Sequence, residues 1–241
     1  MRIAVVIPAY NEETTIRKVV VGALEYCDQV YVVDDGSSDA TASTISDLPI
    51  TLLVNDDNSG KGASLWRGMQ AALKDSADAI ITLDADGQHL PKDIPRFTEA
   101  WKEQLTTIQI GSRLADKASF PARRYYANKV ANFWISWAAG YPITDSQSGF
   151  RLYPSSLISQ LSIKTDRDRG FVFESEILIK AARLGYYSKP LTIDAIYTEG
   201  ARPSHFRSVL DIVRITRMVA WKLISRGLYP SGLYRALTGT R

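Results

Sequence analysis

The first half of the chain repeats one pattern, in which a short apolar, β-branched run is followed by a polar loop and then by helical spacing. Residues 3–7 are apolar at every position, as expected for a strand buried on both faces of a sheet. This alternation predicts an α/β fold with a mostly parallel sheet and helices on both faces. The predicted strands are residues 3–7, 29–33, 50–54, 79–83 and 108–110, and the predicted helices include 12–25 and 63–73.

Polar motifs follow four of these five predicted strands. Asn11-Glu12 follows the first strand, Asp34-Asp35 the second, residues 84–88 the fourth and Arg113 the fifth. In open α/β sheets, ligands bind in the crevice beyond the carboxyl ends of the strands. The sequence therefore predicts one binding crevice that is built from these loops.

Asp84 and Asp86, at the end of a buried strand, are the strongest candidates for chemistry. Paired carboxylates are hard oxygen ligands that suit Mg²⁺ or Mn²⁺ and leave positions open for phosphate oxygens. Such a cation stabilises a diphosphate leaving group, because negative charge builds on it as the bond to a sugar breaks. The alternative is a turn in which the aspartates only cap the main chain.

The loops after the first two strands offer groups that suit a nucleotide. The ring of Tyr10 can stack on a base, and the carboxylates of Glu12 and Asp35 can accept hydrogen bonds from a base or a ribose. The alternatives are that Glu12 stabilises a helix N-terminus and that Asp35 caps the next helix. Lys61 is either a diphosphate ligand or an exposed turn lysine, since Gly60-Lys61-Gly62 lacks the full spacing of a phosphate loop.

The composition, with 45% hydrophobic and 23% charged residues, is typical of a folded protein. The single cysteine, Cys27, excludes an intramolecular disulfide and a cysteine metal cluster, and it fits a reduced, cytosolic setting. We expect no signal peptide, because residues 1–8 have the pattern of a buried strand. We expect no membrane span either, because no apolar run reaches roughly 18 to 20 residues.

The C-terminal segment is strongly basic. From Arg202 to Arg241 there are eight Lys or Arg and one acidic residue, a net charge of +7, whereas the preceding residues carry −4. Residues 206–228 have amphipathic helical spacing that suits an anionic membrane surface. The alternative is a domain helix whose apolar face packs on the sheet, and both can hold at once. No nucleic-acid-binding motif accompanies this segment, so we do not expect nucleic acid as a partner.

Several motifs together resemble family-2 glycosyltransferases of the GT-A fold. In chain order they are Pro8-Ala9-Tyr10-Asn11-Glu12, residues 33–39, Asp84-Ala85-Asp86-Gly87-Gln88 and Gly111-Ser112-Arg113. Within that family the chain is most similar to the dolichyl-phosphate mannose synthases and their bacterial polyprenyl-phosphate relatives. The resemblance continues through Arg124 and residues 130–132 and 148–151, and it covers roughly residues 1–210.

The resemblance implies a set of site residues and a mechanism. Nucleotide contacts are implied for Pro8, Tyr10, Glu12, Val33 and Asp35, and ribose and diphosphate contacts for Asp84, Ala85 and Asp86. Asp86 and Gln88 are implied as ligands of Mg²⁺ or Mn²⁺, and Arg113 and Arg124 as residues facing the donor and acceptor phosphates. The resemblance also implies inversion at the anomeric carbon by a single in-line displacement.

The acceptor decides which further residues matter. A phosphate acceptor is already anionic near neutral pH, so it needs positioning by arginines and no general base. The candidate arginines are Arg113, Arg123, Arg124 and Arg151, of which Arg123 and Arg124 are alternatively a solvated helix start. A hydroxyl acceptor needs a general base, and the candidates are Asp145, Glu174 and Glu176.

Two positions depart from the synthase pattern. Asn128 stands where the synthases carry a serine, and His205 stands where they carry a lysine. Both positions face the acceptor in the family, so the acceptor is the part of the function that the resemblance constrains least.

We therefore expect an inverting enzyme that transfers a hexose from a GDP-mannose- or UDP-glucose-type donor to a polyprenyl phosphate, on the inner face of a membrane. Residues 1–204 would form the catalytic domain, which has a donor half (1–113) and an acceptor half (114–204). A basic C-terminal segment (205–241) would follow it. The alternatives are transfer to a hydroxyl of a glycan or lipid, and nucleotidyl transfer. Motifs alone do not determine the base, the sugar or the lipid length, because pocket shape decides them. The oligomeric state is equally open.

Overall fold

A seven-stranded sheet lies at the centre of the computed structural model, which describes residues 1–112, 122–165, 172–194 and 208–239. The strands are β1 (Ile3–Ala9), β2 (Gln29–Asp34), β3 (Thr51–Val54), β4 (Ala79–Thr82), β5 (Thr107–Ser112), β6 (Arg151–Pro154) and β7 (Tyr187–Thr192). Their order in the sheet is β3-β2-β1-β4-β6-β5-β7. β6 runs antiparallel to β4 and β5, and the other strand pairs are parallel. The predicted α/β class with a mostly parallel sheet is confirmed.

Helices cover both faces of this sheet. They are α1 (Ile16–Leu24), α2 (Lys61–Lys74), α3 (Ile94–Glu103), α4 (Ala122–Ala139), α5 (Ser155–Ile158), α6 (Val172–Arg183), α7 (Ser208–Ile224) and α8 (Pro230–Thr238). Helices α1 and α3 pack in one apolar layer, whereas α2, α4, α6 and α7 pack in the other. The sequence pattern alone did not predict α3, α5 or α8.

The first strand shows why its sequence is apolar at every position. The side chains of Val5 and Ile7 lie in the layer that contains α1, and those of Ala4 and Val6 lie in the layer that contains α2. All four side chains are fully buried. Successive residues of a strand point to opposite faces, so a strand that is covered on both sides has no position for a polar side chain.

The loops after β1 and β2 differ from the sequence prediction, because they bind each other. The main-chain N–H of Glu12 donates to Thr41 Oγ1 over 2.8 Å, and α1 begins only at Ile16. Asp39 lies in the loop after β2. Its carboxylate accepts from the main chain of Thr41 over 2.9 Å, and only a short 3-10 helix follows, at Ser43–Ile45.

Helix α7 packs its apolar side onto the rest of the protein. Ile215, Met218, Val219 and Leu223 are buried in the same layer as α4 and α6. Lys222 lies 3.3 Å from the buried carboxylate of Glu176. The domain-packing interpretation of this helix is therefore realised in the structure. In the part of the chain that the structure describes, no helix is both long and apolar enough to cross a bilayer.

Candidate active site

Lys61 joins two carboxylates from distant parts of the chain at the carboxyl edge of the sheet. It is the first residue of α2, whereas Asp84 follows β4 and Glu174 lies in the first turn of α6. Its Nζ lies 2.7 Å from Asp84 Oδ1 and 3.2 Å from Glu174 Oε1. Burial by itself would lower the pKa of Lys61, but the charges of Asp84 and Glu174 outweigh that effect and raise the pKa above its ordinary value. Lys61 is thus a fixed cation in the crevice, and the exposed-turn alternative is wrong.

Gly149 leaves the space that Asp84 occupies. A Cβ at Gly149 would lie 2.5 Å from Asp84 Oδ2 and 2.9 Å from its Cγ. The buried hydroxyl of Thr82 donates to the carbonyl oxygen of Gly149 over 2.7 Å and holds this loop in place. The ring of His89 packs on Phe150, with 5.4 Å between ring centroids, and its Nδ1 lies 4.0 Å from Asp84 Oδ2. The position of Asp84 therefore depends on the loop that precedes β6.

Asp86 and Gln88 lie on one tight turn. The main-chain N–H of Gln88 donates to Asp86 Oδ1 over 3.0 Å, and Gly87 between them has φ +74°, which favours glycine. The side chains of Asp86 and Gln88 are half-buried, whereas Ala85 packs into the apolar layer below them. The aspartate thus caps the main chain, as the alternative interpretation expected, and also keeps part of its surface open to the crevice.

The donor atoms at this turn are compatible with a divalent cation that is shared with a substrate. Among the described residues, no group of three or more Asp, Glu, His or Cys side chains is gathered around a potential metal position. Mg²⁺ characteristically binds one or two protein carboxylates together with substrate phosphates and water. Asp86 and Gln88 provide hard oxygen ligands of that kind, so the residues present fit a cation that takes its other ligands from a diphosphate and water.

Asp35 orders the loop that carries Lys61. Its carboxylate is 3% exposed and accepts hydrogen bonds from Asn55 Nδ2 over 2.7 Å and from the main-chain N–H groups of Ser59 and Gly60, both over 2.8 Å. Asp35 therefore does not cap the short 3-10 helix after β2, which was the alternative interpretation. Its bonds place the start of α2, and with it the ammonium of Lys61.

The other implied nucleotide contacts divide into buried and open positions. Pro8 and Val33 are partners in the β1–β2 ladder, and both are buried. The Val33 side chain faces Gly68 of α2 and packs between the sheet and that helix. Tyr10 and Glu12 are half-buried at the crevice. Tyr10 and Glu12 are therefore better placed than Pro8 and Val33 to contact a ligand through their side chains.

Arg151 does not lie where the expected role in holding an acceptor phosphate would require. Its side chain is fully buried. Its guanidinium donates to the carbonyl oxygens of Ser146, Ser148 and Glu174, over 2.8, 2.6 and 2.9 Å, and to the hydroxyl of Tyr153 over 3.2 Å. Because every guanidinium nitrogen binds protein oxygen, Arg151 ties the loop before β6 to α6. We correct its role to that of a positioning residue.

The three candidate general bases are buried and take part in structural contacts. Asp145 is 3% exposed, and its Oδ1 accepts from the main-chain N–H of Gln147 over 3.2 Å. Glu176 is 5% exposed and lies 3.2 Å from Lys180 and 3.3 Å from Lys222. Glu174 forms the ion pair with Lys61 described above. These contacts give each carboxylate a role in the fold and favour none of them as a base.

An open groove of about 460 Å³ lies at the carboxyl ends of β5 and β7. Its walls come mainly from α4, the segment after α4 and the end of α8, and they include Tyr125, Lys129, Phe133, Ile143, Pro190 and Leu237. Ser112, the last residue of β5, also lines the groove. Apart from Lys129 and a few hydroxyl and amide groups, these walls are apolar and suit a hydrocarbon ligand.

The strand register sets the distance from this groove to Asp84. Thr82 of β4 and Ile110 of β5 flank the same residue of β6, Arg151. Asp84 and Ser112 each lie two residues further along, at the same edge. Two strand spacings separate them, which is about 10 Å. The groove therefore opens beside the cluster of Lys61 and Asp84.

Some predicted site residues fall outside the described residues. Arg113 and His205 are among them, as are the side chains of Arg123 and Arg124, although the main chain of these two arginines belongs to α4. Asn128 is described and lies half-buried on α4.

Residues 4–161 match the family described as Glycosyl transferase family 2, and this match contains Lys61, the Asp84–Gln88 turn and Gly149. The chain belongs to this family. The recognition made from the sequence motifs is thereby confirmed.

Two relatives of this family-2 glycosyltransferase are named for lipid-phosphate acceptors. The UDP-N-acetylglucosamine–dolichyl-phosphate N-acetylglucosaminyltransferase of Methanococcus voltae is 31% identical over 218 residues, which cover 82% of this chain and 86% of the relative. The undecaprenyl-phosphate mannosyltransferase of Micrococcus luteus is 26% identical over 239 residues, which cover 94% and 96%. The family members that this chain resembles therefore include transferases of different sugars.

A solved structure supports the fold of this glycosyltransferase. Glucosyl-3-phosphoglycerate synthase from Mycobacterium tuberculosis, in complex with Mn²⁺, UDP and glucosyl-3-phosphoglycerate, superposes with a TM-score of 0.66. The match covers 93% of this chain and 79% of that one, at 19% sequence identity. The expected GT-A fold is confirmed.

Two features of the glycosyltransferase site were not predicted from the sequence. Glu174 was considered only as a base, and its pairing with Lys61 joins residues more than a hundred positions apart. Gly149 lies within the family motif at residues 148–151, but a glycine in one sequence does not show which atom it makes room for. The only sequence signal was that both residues lie near polar motifs without an assigned partner.

Proposed function

We propose that this family-2 glycosyltransferase transfers a sugar from a nucleotide-diphosphate donor to a polyprenyl phosphate. The observation that carries the proposal is a juxtaposition at one edge of the sheet. By strand spacing, Asp84 of the charged cluster lies about 10 Å from Ser112, which lines an apolar groove. A polyprenyl phosphate needs both features, because it has an anionic end and a hydrocarbon chain. The names of the M. voltae and M. luteus relatives support the same acceptor class.

In this proposal, residues 1–113 bind the donor. Tyr10 and Glu12 receive the base and ribose, because both are half-buried polar residues of the first loop and the family resemblance implies them as nucleotide contacts. Lys61 neutralises the diphosphate and leaves its present pairing with Asp84 partly or wholly when the donor binds. When bound at Asp86 and Gln88, Mg²⁺ or Mn²⁺ supplies further positive charge for the leaving diphosphate.

Residues 114–204 then present the acceptor. A phosphate oxygen of the lipid attacks the anomeric carbon, the bond from that carbon to the diphosphate breaks, and the configuration inverts. The nucleoside diphosphate leaves with the bonding electron pair. No proton has to be removed from a phosphate monoester dianion, so the buried carboxylates need not act as a base. Lys129 on the groove wall, together with Arg113 and Arg124, would hold the phosphate.

A donor-and-acceptor assay tests this function. The purified chain is incubated with Mn²⁺ or Mg²⁺ and a panel of nucleotide sugars, with either a short polyprenyl phosphate or the matching polyprenol, whose terminal group is a hydroxyl. We expect nucleoside diphosphate release that requires both the metal and the lipid phosphate. Equal release with the polyprenol would refute phosphate transfer and favour a hydroxyl acceptor. Release of pyrophosphate would indicate nucleotidyl transfer.

The proposed reaction takes place at a membrane, since a long polyprenyl chain is confined to a bilayer. We place the protein peripherally on the cytoplasmic face, where nucleotide sugars are available. Cell fractionation of the native protein tests this placement. Recovery in the membrane fraction and release by alkaline salt washing are expected, whereas complete recovery in the supernatant would contradict it.

A further inference from the structure

Helices α4 and α8 expose large apolar side chains on one continuous face. On α4 these are Tyr126, Val130, Phe133 and Trp134, which are 63%, 59%, 42% and 43% exposed and recur at helical spacing. On α8 they are Tyr234 and Leu237, which are 64% and 67% exposed. We refer to these six residues as the α4–α8 face. Adjacent exposed residues of this size mark interaction surfaces, whereas single ones do not.

Fixed contacts hold the two helices together. The indole N–H of Trp137 on α4 donates to the carbonyl oxygens of Leu228 and Tyr229, over 2.9 and 3.2 Å, immediately before α8 begins. Gly140 leaves room for the Tyr229 ring, since a Cβ there would lie 2.7 Å from its hydroxyl oxygen. The ring of Trp137 stacks on that of Trp134, with 5.4 Å between centroids. The face is therefore built into the fold.

The charge of this face indicates the chemistry of its partner. The sequences of α4 and α8 contain no Asp or Glu, and the exposed Lys129 of α4 lies one helical turn from Tyr126 and from Phe133. Arg226, just before α8, is exposed and lies 3.6 Å from the centroid of the Tyr229 ring. Tyr and Trp beside Lys and Arg are the residues that occupy the boundary between lipid headgroups and hydrocarbon.

The face is also continuous with the groove. Phe133 and Leu237 belong to the face and line the groove, and Ser112 lines the same groove. An apolar chain that lies in the groove would therefore contact both this face and the end of β5 at the crevice edge. A docking site for another protein would not need to be continuous with the groove.

We propose that the α4–α8 face docks on an anionic bilayer and presents the groove to lipid. The inference rests on the proposed function for its lipid acceptor, but the docking itself requires neither donor nor acceptor. It also differs from the expectation for α7, whose Ile215, Met218, Val219 and Leu223 are buried in the protein. The exposed residues of α7, including Trp221 and Ile224, form the competing surface.

Vesicle flotation with the full chain tests this proposal. Three exposed aromatic residues that do not line the groove are replaced together, as Tyr126→Ser, Trp134→Ser and Tyr234→Ser. The matched control replaces exposed apolar residues elsewhere, as Val21→Ser on α1, on the other face of the sheet, and Leu105→Ser before β5. We expect wild type and control to bind vesicles of phosphatidylcholine with phosphatidylglycerol more strongly than phosphatidylcholine alone, and the triple variant to bind at least about tenfold more weakly.

Three results would overturn the docking surface. One is wild-type vesicle binding by the triple variant, and another is loss of binding by Trp221→Ser with Ile224→Ser while the triple variant still binds. The third is a wild-type dimer that becomes monomeric in the triple variant, because the face would then join two copies. Turnover of a short, water-soluble polyprenyl phosphate is measured separately. Its absence in wild type refutes the proposed function and leaves the vesicle result interpretable.

Discussion

Replacing Gly149 with alanine should displace the carboxylate of Asp84 without removing it, so this variant tests the position of Asp84 separately from its charge. The new Cβ would lie 2.5 Å from Asp84 Oδ2, which is 0.9 Å short of the 3.4 Å at which such contacts become ordinary. The hydroxyl of Thr82 donates to the carbonyl oxygen of Gly149 and fixes the loop main chain. The carboxylate of Asp84 therefore has to move. A shift of about 1 Å in a positioning group costs about a hundredfold in rate, or about 2.7 kcal/mol in the activation barrier.

The assay is nucleoside diphosphate release at subsaturating donor, with the melting temperature measured on the same preparation. Gly149→Ala should lower kcat/KM by about a hundredfold while destabilising the fold by only about 1–3 kcal/mol. Gly68→Ala is the matched control, because its Cβ would lie 2.5 Å from Val6 Cγ1 in the apolar core, where no crevice carboxylate is affected. It should be similarly destabilised and keep its activity per folded molecule.

Two outcomes would refute this reasoning. Full activity of Gly149→Ala would mean that the placement of Asp84 does not matter for turnover. An equal loss of activity in Gly68→Ala would mean that general overpacking, and not displacement of the carboxylate, causes the defect.

Three further predictions concern charged residues of the site. Asp86→Ala should abolish turnover while leaving the fold intact, because a bound cation loses a ligand; full activity would refute the metal assignment. Lys61→Met should lower activity at least tenfold and stability by about 1–2 kcal/mol, less than for a fully buried pair because Lys61 and Asp84 are 22% and 23% exposed. Since the pKa of Lys61 is raised, this stability difference should be constant between about pH 6 and about pH 10, above the range in which carboxylates protonate. It should shrink as the pH rises further, towards the folded pKa. Urea titrations at several pH values will show this, and growth of the difference as the pH rises above about 10 would contradict the ion pair. Arg151→Met should cost about 3 kcal/mol or more in unfolding free energy, because three buried carbonyl groups lose their donor; lost activity with an unchanged melting temperature would instead restore Arg151 as a phosphate ligand.

The sequence pattern was sufficient for the fold class and for the location of the crevice. Apolar runs such as residues 3–7 are local signals, because a strand that is buried on both faces has no polar position. Polar loops after successive parallel strands necessarily meet at one edge of the sheet. The strand pattern by itself therefore places Asp84 and Lys61 at the same edge of the sheet.

The sequence pattern does not show which residues the site residues contact within the protein. Lys61 pairs with Glu174 because α2 and α6 pack on the same face of the sheet, and no local pattern encodes that contact. The antiparallel insertion of β6 brings Gly149 against Asp84. Arg151 is an example. An arginine beside a polar motif suggests a phosphate ligand, but long-range packing buries this one completely.

The C-terminal region shows the same division. Amphipathic spacing in residues 206–228 is a property of the chain, so the helix itself was predictable. Spacing alone does not say what covers the apolar side. Packing assigned that side of α7 to the protein core and left the aromatic residues of α4 and α8 facing outward. Local residue patterns thus specify which elements form and where polar groups gather. Long-range packing decides which surfaces are buried in the core and which stay exposed to a ligand or a membrane.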